Sequence, residues 1–236
     1  MTVKAVFLDW VNTLVRIEPD RQVVCAETCR EFGIDVDPER ALRGIYLAEE
    51  EVPVGRPINW SSGADPSAFI RYNDIVLSAA GAAIPDSSTT LRMVERARER
   101  LRDISFLLLD DVHPALARLK ERGLALAVLS NMNRPLQPYL ERLGLTAFLD
   151  FSLCPADVGG KGKPEEPIFL EALRRTGARP AEAVHVGDES FVDGVGARRV
   201  GINPVLIDRF GLFTDFNEYA RIGSLLELPA LLDTMP

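Results

Sequence analysis

The chain reads as an α/β protein whose parallel sheet is interrupted by an inserted bundle of helices. Three observations predict this. Val3 to Leu8 is largely apolar and β-branched, the texture of a strand buried on both faces. From Glu18 to Arg102 the texture turns helical, with distinct starts and stops. After Leu107, short apolar runs alternate with helices of about ten residues, the pattern of right-handed βαβ units on a parallel sheet. Residues 1–16 and 106–236 therefore form the sheet-bearing core, and residues 17–105 the inserted bundle.

Each element follows from local signals. The inserted region opens with a helix from Asp20 to Phe32, carrying Val23, Val24, Ala26, Cys29 and Phe32, and Gly33 stops it. Asp37-Pro38 supplies an N-cap and a proline at the first helical position, opening a helix to about Glu50. Asp65-Pro66 repeats the signal for a helix to Gly81, after a Pro- and Gly-containing loop with Trp60. Thr89 to Arg102 is a fourth, highly charged helix. In the core, Pro114–Arg122 is a helix closed by Gly123, Leu124–Leu129 a strand, and Pro135–Leu143 a helix closed by Gly144. A strand near Leu149–Leu153, a helix Glu166–Thr176, a strand Ala183–Val186 and a helix Phe191–Val200 follow. Pro204–Ile207 is the last strand, and Ser224 starts a short C-terminal helix.

Composition narrows the function. Hydrophobic residues make up 47% of the 236, enough to fill a core, and the net charge of −8 comes with no basic stretch to follow a phosphate backbone. Nucleic acid is thus not an expected partner. No run approaches the ~18 apolar residues of a membrane span, and the N-terminus lacks a signal-peptide pattern, which points to the cytosol. Cys25, Cys29 and Cys154 complete no zinc spacing, so core packing is expected of them. The oligomeric state is left open.

Parallel sheets bind ligands beyond the carboxyl ends of their strands, and Asp9, Ser130 and Asp188 all fall there. Asp9 can serve as a carboxylate nucleophile in phosphate transfer, or simply cap the following turn. Asp188 and Asp193 are spaced to face one mouth, where carboxylate oxygens suit magnesium; alternatively Asp188 caps the next helix and Asp193 is a solvated acid of its first turn. Ser130 and Asn131 offer a hydroxyl and an amide to a phosphoryl oxygen, or form an ordinary turn. Lys163 follows Gly159-Gly160-Lys161-Gly162 and precedes Pro164, so a restrained cation can neutralise charge there; Lys161 is its rival. His185, inside a strand, is expected to be a hydrogen-bonded core residue pointing away from Asp188.

Together these residues resemble the haloacid dehalogenase-like hydrolase superfamily. Its four motif regions occur in order as Asp9-Trp10-Val11-Asn12-Thr13-Leu14, Ser130-Asn131, Lys163-Pro164 and Gly187-Asp188-Glu189-Ser190-Phe191-Val192-Asp193. The resemblance implies a Rossmann-like core with a helical cap inserted after the first motif, and a small phosphorylated metabolite as substrate. It implies Asp9 as nucleophile and magnesium ligand, the Val11 carbonyl as a further ligand, and Asp188 and Asp193 on the metal directly or through water. Ser130, Asn131, Asn12 and Thr13 would bind phosphate and Lys163 would balance charge.

One position departs from the pattern. Val11 stands where family phosphatases carry an acid that moves protons, and Asn12 replaces the usual glycine. A positioned acid-base group contributes ~10²–10⁴ in rate, so the reading is a slow magnesium-dependent phosphatase working through an aspartyl-phosphate on Asp9. Glu189 is the candidate substitute acid. The alternatives are a catalytically impaired phosphate- or metabolite-binding protein, or a haloacid dehalogenase, which works without metal. An imine-forming phosphonoacetaldehyde hydrolase is excluded because the inserted region contains no lysine.

Overall fold

A computed structural model gives the structure of the chain and describes residues 2–52 and 66–235. The elements are β1 (Ala5–Leu8), β2 (Val15–Glu18), α1 (Arg21–Glu31), α2 (Pro38–Glu51), α3 (Pro66–Ala79), α4 (Ser87–Arg100), β3 (Ser105–Leu108), α5 (Val112–Glu121), β4 (Ala125–Leu129), α6 (Gln137–Arg142), β5 (Phe151–Leu153), α7 (Glu166–Thr176), β6 (Ala183–Gly187), α8 (Gly196–Arg199), β7 (Asn203–Ile207), β8 (Ala220–Ile222) and α9 (Leu228–Thr234). They fall into two compact units, one of Met1–Arg16 with Leu107–Pro236, the other Ile17–Phe106.

The first unit is built on a six-stranded sheet of order β5-β4-β1-β6-β7-β8, parallel throughout. β1 lies between β4 and β6, with Leu8 opposite both Val128 and Val186. All four β1 residues are fully buried, as a strand covered on both faces requires. Ala5 and Phe7 pack with Ala127 and Leu129 against Ile168, Phe169 and Ala172 of α7. By strand alternation Val6 and Leu8 face the opposite side. α5 packs on β4 and on α9, with Val112, Leu116, Leu119 and Leu228 fully buried.

The second unit packs its helices around two apolar clusters. Ala26, Cys29, Val36, Ala41, Leu77, Ala80 and Met93 form one, and Ile45, Ala48, Val52, Tyr72 and Val76 the other. Asp37 caps α2 through the Arg40 amide (3.0 Å), with Pro38 in the first turn as expected. α4 begins two residues earlier than the sequence reading, because the Asp86 carboxylate takes the Ser88 and Thr89 amides. The loop with Trp60 and the Asp65 cap lie outside the described residues. Cys25, Cys29 and Cys154 are free thiols.

Three differences from the sequence reading stand out. β2 and β3 form a two-stranded sheet where a mere change of texture was read. The edge strand β8 was not foreseen either. The helix expected over Phe191–Val200 divides into a π-helical turn, Ser190–Val195, and the short α8. Among the described residues, no helix is long and apolar enough to cross a membrane.

Candidate active site

The sheet delivers three of the site residues at its carboxyl edge. Asp9 follows β1 directly, with its amide bonded to the Val186 carbonyl (2.8 Å), so the end of β6 fixes its backbone. Asp188 follows β6, and Ser130 follows β4 with its amide on the Leu153 carbonyl (3.0 Å). Asp193 comes from the π-helical turn, where the extra residue per turn swings its carboxylate back toward the strand end. A side chain at Gly187 would collide with the Asp193 carboxylate, so only glycine lets this turn close so tightly. Asp9, Asp188 and Asp193 are buried together, with ligand oxygens all within 4.8 Å of one another.

Lys163 is the cation of this cluster. It is 2% exposed, and its Nζ donates to Asp9 Oδ1 and to Asp193 Oδ1 (2.6 Å). Lys161, its rival in the sequence, is exposed. Asn131 aims Lys163: its Nδ2 donates to the Lys163 carbonyl (2.8 Å) and its Oδ1 accepts the Lys163 amide (2.7 Å). Gly162 permits this approach, since a β-carbon there would strike the Asn131 carboxamide. Ser130 is 3% exposed, with its Oγ accepting the Met132 amide (3.2 Å).

The loop after Asp9 is bound into the same cluster. Asn12 adopts a left-handed conformation (φ 59°), which asparagine tolerates better than most residues. Its Nδ2 donates to Asp188 Oδ2 (2.9 Å). Thr13 is fully buried, and its hydroxyl has no hydrogen-bond partner among the described residues. Val11 is half-buried and bridges to Val15.

Burial and pairing set the charges. Desolvation lifts the Asp9 carboxyl to about 6, against the attraction of Lys163 and with added repulsion from Asp193. Burial also acts to raise Asp193, but Lys163 and a hydrogen bond from His185 outweigh it and hold this carboxyl well below the usual range. Burial disfavours the charged form of Lys163, yet Asp193 and Asp9 more than compensate and keep it cationic. His185 is fully buried, pushed toward its neutral form by desolvation, with Nε2 2.8 Å from Asp193 Oδ1 and its ring edge-on to Phe169.

Three carboxylates face one lysine, so the donor set is all oxygen with an excess of negative charge. That chemistry fits a hard divalent cation. Asp193 already uses Oδ1 for Lys163 and His185 and Oδ2 for the Glu189 amide (3.1 Å), which leaves Asp9 and Asp188 better placed for direct ligation.

This cluster corrects the expectation of a weakened centre, in which Val11 was taken to leave a slow phosphatase or an impaired binding protein. The acidic centre of Asp9, Asp188 and Asp193 is present and buried. The expectation already placed Asp9, Asp188 and Asp193 at one mouth, but gave more weight to the acidic side chain missing at position 11 than to the centre these acids form. Sequence reasoning also missed groups around the centre. The His185 contact with Asp193 depends on the π-helical turn, and Arg209 reaches the Asn12 and Thr13 carbonyls from far along the chain.

Comparisons with known proteins agree with this geometry. A family model described as a haloacid dehalogenase-like hydrolase matches residues 3–201. The glyceraldehyde 3-phosphate phosphatase of Methanopyrus kandleri is 36% identical over 211 residues, 88% of this chain and 84% of that protein. Two solved structures are each 26% identical with a TM-score of 0.58. One is a 2-haloacid dehalogenase from Pseudomonas syringae pv. tomato, covering 98% of this chain and 99% of its own. The other is a phosphatase of the same superfamily from Thermococcus onnurineus, covering 98% of both.

Proposed function

The chain belongs to the haloacid dehalogenase-like hydrolase family, and on that premise we propose that it is a magnesium-dependent hydrolase of small phosphoric esters or acyl phosphates. The observation that carries the reading is the buried trio of carboxylates closed by Lys163. In this reading the Asp9 carboxylate attacks phosphorus as the P–O bond to the leaving group breaks, and the leaving oxygen takes a proton from water. A second water then cleaves the acyl phosphate to return Asp9 and release phosphate. Asp9, Asp188 and the Val11 carbonyl would hold the metal, with Asp193 beside them. Bound magnesium supplies charge neutralisation on the phosphoryl oxygens.

The remaining roles belong to the chain's own groups. Lys163 offsets negative charge that grows during transfer, in a site where burial strengthens every such interaction. Ser130 donates to a phosphoryl oxygen. Asn131, Asn12 and Thr13 shape the same subsite, Asn131 by fixing Lys163 and Asn12 by fixing Asp188. Residues 17–105 act as the cap that chooses the substrate. The phosphatase activity of the Methanopyrus kandleri relative supports a small phosphorylated substrate, and three free thiols support a reducing, cytosolic setting.

A panel of phosphorylated metabolites, assayed for phosphate release with magnesium and with chelator, tests the reading. The expected result is magnesium-dependent release that Asp9→Asn abolishes. Halide release from 2-haloacids without metal, and no phosphate from any ester, would overturn it in favour of dehalogenation.

A further inference from the structure

The segment between β7 and β8 touches both loops that carry the acidic centre. Arg209, just after β7, donates Nε to the Asn12 carbonyl (2.9 Å) and Nη2 to the Thr13 carbonyl (2.7 Å). Its guanidinium is itself held by Asp111, through Nη1 to Oδ2 (2.8 Å) and Nη2 to Oδ1 (3.0 Å). Asp111 Oδ2 also accepts the Ser224 hydroxyl (2.6 Å) and the Leu225 amide (2.8 Å), so the pair is anchored at both ends. Both side chains are 12% exposed. At the far end of the segment, the Tyr219 hydroxyl donates to the Ser190 carbonyl (3.1 Å). The Tyr219 ring fills the space that a side chain on Gly194 would need.

Contacts within the segment cross-brace it. Asp208 closes its start by accepting the Leu212 (2.8 Å) and Phe213 (3.1 Å) amides and Arg221 Nη1 (3.0 Å). Phe216 packs edge-on to both Phe213 and Tyr219.

We propose that Arg209, with Asp111 behind it and Tyr219 at the other end, is a positioning device that sets the geometry of the acidic centre without touching substrate. The Asp9 loop needs such a device. Asn12 sits at positive φ, a conformation that costs energy for any residue with a side chain, and its amide also orients Asp188. Arg209 satisfies the two carbonyls of that turn with charge-assisted hydrogen bonds. A planar guanidinium spans two carbonyls and a carboxylate at once, which a lysine ammonium cannot do. Tyr219 performs the equivalent service for the turn that carries Asp193.

The inference rests on the proposed hydrolase reading for its kinetic arm, and a metal-free measurement separates the two. Arg209→Ala should raise amide exchange across residues 10–15 without metal or substrate. It should also weaken magnesium binding by calorimetry and lower kcat, each by about 10- to 100-fold, the usual effect of removing a group that orients metal ligands, with little change in KM. Arg209→Lys should recover little of this, and Asp111→Asn should add little in the Arg209→Ala background because the two act as one unit. Should Arg209→Ala not fold, Asp111→Asn and Tyr219→Phe, which remove single contacts, take its place with smaller changes of the same sign. Unchanged exchange, magnesium affinity and kcat in these variants, or a lowered melting temperature alone, would overturn the proposal. Faster exchange in a protein that neither binds magnesium nor releases phosphate would leave the positioning intact and remove the hydrolase reading.

Discussion

Asp9 carries a carboxyl lifted to about 6 because burial outweighs the pull of Lys163. The sign of the consequence is fixed by comparison with the ordinary value of 3.8. The folded, metal-free protein holds this proton more tightly than the unfolded chain. Asp9's contribution to stability is therefore present below 3.8 and lost as pH rises through about 6, where a buried carboxylate must be carried without a metal. A divalent ion needs the carboxylate, so binding below about 6 must displace a proton. Magnesium affinity should be flat above that pH and fall about tenfold per unit below it. Calorimetry from pH 5 to 7.5, in two buffers of different ionisation heat, counts the proton directly; a pH-independent affinity would refute the assignment. Much of this centre was legible in the sequence. Asp9 and Asp188 stand directly after strand ends, which are readable from their apolar runs, and Lys163 was marked by its flanking glycines and Pro164. The task of Asn131 was not legible, because its amide serves the backbone of a residue distant in sequence. The weight given to Val11 is corrected by the buried carboxylates of Asp9, Asp188 and Asp193, which form the centre whatever the side chain at position 11.

At the scale of elements, the long helices and buried strands were readable because their periodicity and caps agree. β2, β3 and β8 were not, being strands of three or four residues with partly exposed patterns that carry too little alternation to read. The π-helical turn escaped because its residues pass for an ordinary helix start until Asp193 must be satisfied. Packing between helices is likewise invisible in one dimension. At the crossing of α2 and α3, a β-carbon on Gly44 would lie 2.6 Å from the Val76 carbonyl oxygen and 2.9 Å from its Cα. Alanine at this position gains ~1 kcal/mol of helix propensity, but overpacking against backbone, which cannot rotate away, costs ~1–3 kcal/mol. The clash should win. Gly44→Ala is expected to destabilise the second unit by up to about 2 kcal/mol in denaturant unfolding, and a stabilised variant would show that the helices can part without loss.

Over the whole molecule, the three acidic ligand candidates all belong to the unit of Met1–Arg16 and Leu107–Pro236. That unit is discontinuous: β1 comes first in the chain, yet its partners β4 and β6 lie beyond the entire second unit. The second unit is continuous and has its own apolar clusters. A ligand stabilises only the state that binds it, by about 2.7 kcal/mol at a hundredfold excess over Kd. Magnesium should therefore slow amide exchange in β1, β4 and β6, where opening disperses Asp9, Asp188 and their supports. It should leave exchange in α1 to α4 unchanged, since those helices hold none of the three acids. Asp188→Asn should remove the protection from the sheet without affecting the helices. Exchange measured with and without magnesium in both proteins decides the matter. Equal protection of α2 and β1 would mean that the two units open together, and protection that survives Asp188→Asn would place the metal elsewhere.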